Sequence, residues 1–166
     1  MIKEIKPPHK VDFEEFSKEN VYTIFLAGSI IGTNEEWQTI FKEKLTKKLK
    51  SGDNVVLLNP RRDDWDDSWG EGNPELIKQI NWELDGLSKV NLIAMYFDPI
   101  TKAPITLLEL GKFANSKRIV VSCPKGFYRK TNVDVVCERD NVPMVKDLDE
   151  LVSGTILFYK YFKLSK

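Results

Sequence analysis

Histidine is almost absent from this 166-residue chain: His9 is its single copy, and it lies in a polar N-terminal stretch. A Ser-His-Asp or Cys-His site inside a folded core is thereby excluded. Cysteine is nearly as scarce. Cys123 and Cys137 are too few for a disulfide framework or a zinc site, and Cys123, with no base evident nearby, reads as small core filling rather than as a nucleophile. Net charge is missing as well, because 25 Lys and Arg balance 25 Asp and Glu. A nucleic-acid polymer is therefore not the expected partner, since such binders carry a basic excess that replaces counterions. No apolar run approaches the roughly 20 residues needed to cross a bilayer, and the N-terminus lacks the apolar region of a secretory signal. The expected location is the cytoplasm, with no membrane partner. Neither a Gly-x-Gly-x-x-Gly turn nor a P-loop occurs, so hydride transfer with a dinucleotide and P-loop phosphoryl transfer lose their usual signatures. No cofactor is expected.

What is present is a regular alternation. Residues 1–20 are polar and charged, with Pro7-Pro8, and read as an arm before a single domain over 21–166. Val21–Ala27, Val55–Leu58, Val90–Phe97 and Arg118–Ser122 are short apolar, β-branched runs that read as buried strands, and Met144–Lys146 as a short edge strand. Between them lie helical patterns. Thr33-x-x-Glu36 resembles a capping box that opens a helix over about 35–50, with Trp37, Phe41, Leu45 and Leu49 on one face and Gly52 at its end. Asn73-Pro74 caps a second helix to about Leu87, with Leu76, Ile77, Ile80, Leu84 and Leu87 as its inner stripe. Further helices are expected over about 106–115, 132–140 and 148–162. Strands alternating with helices imply a parallel sheet with right-handed crossovers. The fold class is α/β, a flavodoxin-like domain with five parallel strands in the order 2-1-3-4-5, flanked by helices.

Ligands of such sheets bind in the crevice beyond the carboxyl ends of the strands. Glu109 falls there, in Ala103-Pro-Ile-Thr-Leu-Leu-Glu-Leu-Gly111 directly after a buried strand. Near a helix N-terminus it is expected to stay ionised, as a candidate nucleophile. Thr106-x-x-Glu109 also fits a capping box, in which the glutamate only bonds a backbone N–H; Ile105 and Phe113, four residues either side, argue instead for an inward face. Glu83 borders the expected stripe of the preceding helix, either as a rim residue paired with a lysine or as a second carboxylate of the crevice. Paired carboxylates suit glycosyl transfer. The loop Asn59–Trp69 reads either as a solvated, ion-paired loop or as a lid, with Trp65 or Trp69 stacking a planar ring and Arg61, Arg62, Asp63 and Asp64 giving polar contacts. Arg129, Asn132 and Asp134 occupy the corresponding position after the fourth strand.

Five segments occur in register: Phe25-Leu-Ala-Gly-Ser-Ile30, Leu58-Asn-Pro-Arg-Arg-Asp63, Ile80-Asn-Trp-Glu-Leu84, Pro104-Ile-Thr-Leu-Leu-Glu-Leu-Gly111 and Cys123-Pro-Lys-Gly-Phe-Tyr-Arg-Lys-Thr-Asn-Val133. Together, over roughly residues 21–150, they resemble the nucleoside 2-deoxyribosyltransferase-like family. The resemblance implies cleavage of the N-glycosidic bond of a 2'-deoxynucleoside, with Glu109 attacking the anomeric carbon and a second nucleobase, or water, resolving the covalent intermediate. No metal takes part. It places the sugar-binding carboxylate on Glu83 and an amide contact to the 5'-hydroxyl, from a neighbouring subunit, on Asn132, so a homodimer or higher homo-oligomer with shared sites is expected. Gly28 would let the backbone approach the ligand, and the loop Asn59–Trp65 would lie over the base.

The chain also departs from that pattern. The family's acid in the loop before the nucleophile is missing from Thr101-Lys-Ala-Pro104, leaving Asp63, Asp64 or Asp98 for the role. The family's first-strand tyrosine is replaced by Ile24, leaving Tyr22 or Tyr96. Gly28-Ser29-Ile30 further resembles the phosphate-binding turn of related nucleotide N-glycosidases, where arginine follows; here Ile31 follows, with Arg129 as the substitute. The alternatives to base exchange are thus hydrolysis of a nucleoside or 5'-monophosphate, and a non-catalytic nucleoside-binding module.

Overall fold

A computed structural model of the protein describes residues 2–30 and 36–165. Strands β1 (Ile2–Ile5), β2 (Tyr22–Gly28), β3 (Val55–Leu58), β4 (Leu92–Tyr96), β5 (Ile119–Ser122) and β6 (Met144–Val145) form one parallel sheet in the order β1-β3-β2-β4-β5-β6. Without β1 this is the expected 2-1-3-4-5 order. The sheet nevertheless has six strands rather than five, because part of the expected N-terminal arm joins it. Ile2–Ile5 pairs in register with Val55–Leu58, and Phe13–Lys18 forms a short helix, α1, capped by the Asp12 carboxylate on the Glu15 N–H at 2.9 Å. The strand Ile-Lys-Glu-Ile carries two charges because it lies at the sheet's edge, where charged side chains deter further strand addition.

Helices α2 (Trp37–Lys48), α3 (Pro74–Lys89), α4 (Pro104–Phe113), α5 (Lys130–Asp140) and α6 (Leu148–Leu164) complete the crossovers. The capping box proposed at Thr33 lies outside the described residues. Alternation along β2 and β4 divides the interior into two layers. Phe25, Ala27, Ile93, Met95 and Phe97 face α1, α3, α4 and α5, whereas Tyr22, Ile24, Leu26, Leu92 and Ala94 face α2 and α6. Among the described residues no helix is long and apolar enough to cross a membrane.

Helix α3 is turned about its axis relative to the expected stripe. Ile77, Ile80 and Leu84 are 49, 44 and 36% exposed, and the buried side is Gln79, Gly86 and Leu87. The cause is Gly86. A methyl group there would lie 2.8 Å from two ring carbons of Phe25 and 3.2 Å from Leu58 Cδ2. The helix thus rests on the sheet through a position without a side chain, and its contact line runs through 79, 83, 86 and 87, a helical face. Glu83 is carried to the sheet-facing side by this rotation. The indole of Trp82, which packs 6.0 Å from the Phe25 ring, donates to the His9 carbonyl at 2.9 Å and ties the segment after β1 to α3.

Candidate functional site

The carboxyl ends of β2 and β4 lie side by side, Gly28 opposite Tyr96. Gly28 has φ +153°, and a Cβ there would run into the Tyr96 carbonyl oxygen and come 2.9 Å from Trp37 Cζ2. Glycine is required at this close approach of two backbones. The turn that follows is tightly held. The Ser29 N–H donates to the Tyr96 carbonyl at 3.2 Å, and the Ser29 hydroxyl sits 2.7 Å from the Thr101 hydroxyl while accepting from the Asp98 N–H at 3.1 Å. The Trp37 indole donates to the Ser29 carbonyl at 2.8 Å. Arg61 donates to the Ile30 carbonyl at 3.0 Å and pairs with Glu36 at 3.0 Å. The Asp98 carboxylate closes the next turn by accepting from the Ile100 N–H at 3.1 Å.

Two glutamates stand on neighbouring helices of one sheet face. Helix α4 starts at Pro104 after Ala103, whose φ of 42° ends the preceding loop, and no side chain caps it. Thr106 is therefore a buried residue inside the helix, and the alternative capping box with Glu109 does not form. Glu109 instead shares the buried side with Thr106, Leu110 and Phe113, while Ile105, expected to face inward, is 59% exposed. Only 9% of Glu109 is exposed, and no hydrogen-bond donor among the described residues reaches it. Burial, reinforced by the charge of Glu83, pushes its carboxyl up to about 8.

The expectation of an ionised Glu109 is thus overturned. It sits in the second helical turn, where the dipole has faded, and desolvation of the charge prevails. Glu83 is also raised by burial, but Gln79 Nε2 donates to its Oε1 at 2.7 Å and partly offsets that rise. Glu109 therefore keeps its proton at neutral pH. Two such groups titrate as a unit.

Gln79 was not legible as part of this arrangement. It is 4% exposed, its amide nitrogen also donates to the Pro60 carbonyl at 3.0 Å, and its Oε1 is buried without a partner. The only sequence signal is its i,i+4 spacing to Glu83. Of the residues that hold the Ser29 turn, Trp37 was legible only as part of an apolar helix face and Thr101 not at all.

The other expected site residues are distributed unevenly. Gly28, Ser29, Arg61 and Asp98 gather at the turn just described. Asn59 is buried, but its amide donates to Glu4 at 2.9 Å and its oxygen accepts from the Arg61 N–H at 3.0 Å, so both ends are engaged within the fold. Asp63 is exposed and pairs with Lys6 at 2.6 Å. Asp64 takes the Arg62 guanidinium at 2.6 and 3.0 Å. Trp65 is 42% exposed, stacks edge-on against Trp69 at 5.2 Å and donates to Asp67 at 2.9 Å. Arg129 lies over the Tyr128 ring at 5.3 Å, and Asn132 is exposed near the start of α5. No hydrogen bond or ion pair joins Asp63, Asp64, Arg129 or Asn132 to either glutamate among the described residues. Tyr22 and Tyr96 pack in the layer facing α2 and α6, opposite the glutamates, because strand alternation sends them there. No group of three or more His, Cys, Asp or Glu among the described residues is arranged to hold a metal ion.

A conserved protein from Enterococcus faecalis V583, known as a crystal structure, superimposes on 80% of this chain and 96% of its own with a TM-score of 0.56 at 12% identity. At that identity the likeness speaks for the shared fold. No curated protein matches at a significant level. The profile of nucleoside 2-deoxyribosyltransferase-like proteins matches residues 21–127, the span from β2 through both glutamate helices to the segment after β5. The chain belongs to the nucleoside 2-deoxyribosyltransferase-like family.

Proposed function

We propose that the protein cleaves the N-glycosidic bond of 2'-deoxynucleosides and passes the deoxyribosyl group to another nucleobase through a covalent ester on Glu109. The observation that carries this reading is a pair of carboxyls, Glu109 buried and Glu83 half-buried, on adjacent helices of a sheet in a family of this chemistry. One Glu109 oxygen attacks C1' as the C1'–N bond breaks, and the bonding pair departs with the base. Attack by a second base then releases Glu109 with net retention. Glu83 holds the sugar. The proton count balances, since Glu109 must shed one proton to attack and the leaving base must gain one. That balance matters here because Asp63 and Asp64 are spent on ion pairs and Asp98 on its turn. Nucleosides are favoured over 5'-monophosphates because the Ser29 hydroxyl is buried and engaged with the Thr101 hydroxyl and the Asp98 N–H, which takes it away from a phosphate.

We infer further that two copies assemble over the outer side of α3 and α4, where Ile77, Ile80, Leu84, Ile105 and Leu108 are exposed. Large exposed apolar patches mark such contacts. In that assembly Asn132, exposed on α5 in the same layer, would serve the partner's site.

Incubation of one deoxynucleoside with a second free base should yield the exchanged nucleoside, and a 2'-fluoro-arabinosyl nucleoside should leave a sugar adduct on the Glu109 peptide by mass spectrometry. Free sugar as the sole product would assign hydrolysis instead. Binding without turnover, unaltered by Glu109→Ala, would assign a binding module.

A further inference from the structure

The orphaned oxygen of Gln79 is the observation that the proposed reaction leaves unused. Buried polar groups are almost always paired, and each exception calls for an explanation. Here the amide cannot turn over to remedy it. Both of its contacts, the Pro60 carbonyl at 3.0 Å and Glu83 Oε1 at 2.7 Å, are acceptors served by Nε2. Reversal would set Oε1 against those two oxygens and leave the Pro60 carbonyl facing another acceptor. The oxygen is therefore locked beside Glu83, at 4% residue exposure, with no donor from the protein.

An exposed i,i+4 Gln–Glu pair would be an ordinary helix-surface contact. This one starts from a buried amide and bridges two elements. Pro60 is the second residue beyond β3, at the start of the charged loop, and Glu83 lies on α3 beside α4. The amide thus sets where Glu83 stands relative to the sheet edge.

Resting on the reading above, we propose that Gln79 is a positioning and specificity residue, clamping Glu83 to the Pro60 carbonyl and offering its free oxygen to a hydroxyl of the bound sugar. A hydroxyl suits both neighbours: Glu83 and Gln79 Oε1 are acceptors, and a sugar brings donors.

The test compares wild type with Gln79→Met, which keeps the volume and removes both polar functions, on a 2'-deoxynucleoside and on its 3'-deoxy and 5'-deoxy analogues. In wild type one analogue should lose about tenfold in kcat/KM beyond what Gln79→Met loses on it, the worth of one hydrogen bond. In the variant that extra discrimination should vanish. Equal discrimination in both proteins, with melting curves showing both folded, would overturn the sugar contact.

The clamp has its own readout, independent of turnover. Carboxyl carbon NMR should show Glu83 titrating at higher pH in Gln79→Met than in wild type, because the donor to its anion is gone. An unchanged Glu83 midpoint would overturn the clamp. If wild type turns over no deoxynucleoside at all, the functional reading fails by itself, and the NMR titration still decides the clamp. Should Gln79→Met not fold, Gln79→Asn, which keeps the amide but shortens its reach, takes its place in both measurements.

Discussion

Replacing Glu109 by Gln should stabilise the protein at alkaline pH and leave it almost unchanged in acid. The carboxyl of Glu109 titrates at about 8 in the folded chain, against 4.5 for an unperturbed glutamate. At pH 4 both folded and unfolded forms hold the proton, so the group costs nothing. Between 4.5 and about 8 the unfolded chain releases the proton while the folded one keeps it. The unfolded form then binds fewer protons, and stability falls as pH rises. The interval spans roughly 3.5 pH units at about 1.4 kcal/mol each, a loss of about 5 kcal/mol as a ceiling, part of which is shared with Glu83. Glutamine mimics the protonated side chain and escapes that loss. Urea unfolding of both proteins at pH 4, 6 and 8.5 is the assay. The wild-type curve should descend across this range, and the variant should pull ahead by several kcal/mol at pH 8.5. Parallel curves would refute the reasoning, since they would mean that Glu109 is solvated and carries no burial penalty.

Three more outcomes follow from the same geometry. For free enzyme, kcat/KM should stay level up to about 8 and fall about tenfold per pH unit above it, because the proton that Glu109 sheds is the one the leaving base gains; a profile that climbs between pH 6 and 8 would count against Glu109 as the source of that proton. Gly86→Ala should cost about 1–3 kcal/mol by overpacking against Phe25 and Leu58, and should lower kcat/KM by displacing Glu83; thermal melts and a rate assay check both, and a neutral variant would contradict the close helix–sheet contact. Leu108→Glu, at a side chain 69% exposed, should shift sedimentation from dimer to monomer and cut turnover without lowering the melting temperature, whereas an unchanged sedimentation coefficient would place the interface elsewhere.

The buried strands were legible because strands covered on both faces are continuous apolar runs, as in Phe25-Leu-Ala and Leu92-Ile-Ala-Met. β1 was not, because an edge strand is wet on one side and its Lys3 and Glu4 read as polar arm. The orientation of α3 misled for a related reason. Ile77, Ile80 and Leu84 form a regular apolar stripe, and periodicity says only that a helix has such a face, not what meets it. Gly86 decided which side touches the sheet. No hydropathy pattern records that, because a glycine contact shows itself only against the ring it touches.

Glu109 could be singled out from its place after a buried strand, and so could the α/β order of the sheet, since both depend on chemistry local in sequence. Its protonation state could not. That depends on how fully α4 removes the carboxyl from water and on the charge of Glu83, which lies on another helix 26 residues earlier. Sequence by itself determined the order of strands and helices, and so which segments of the chain reach the sheet's carboxyl edge. Tertiary packing alone decided which of their side chains are dry, which are already paired and which keep a proton, because desolvation and Coulomb interaction act through space and not along the backbone.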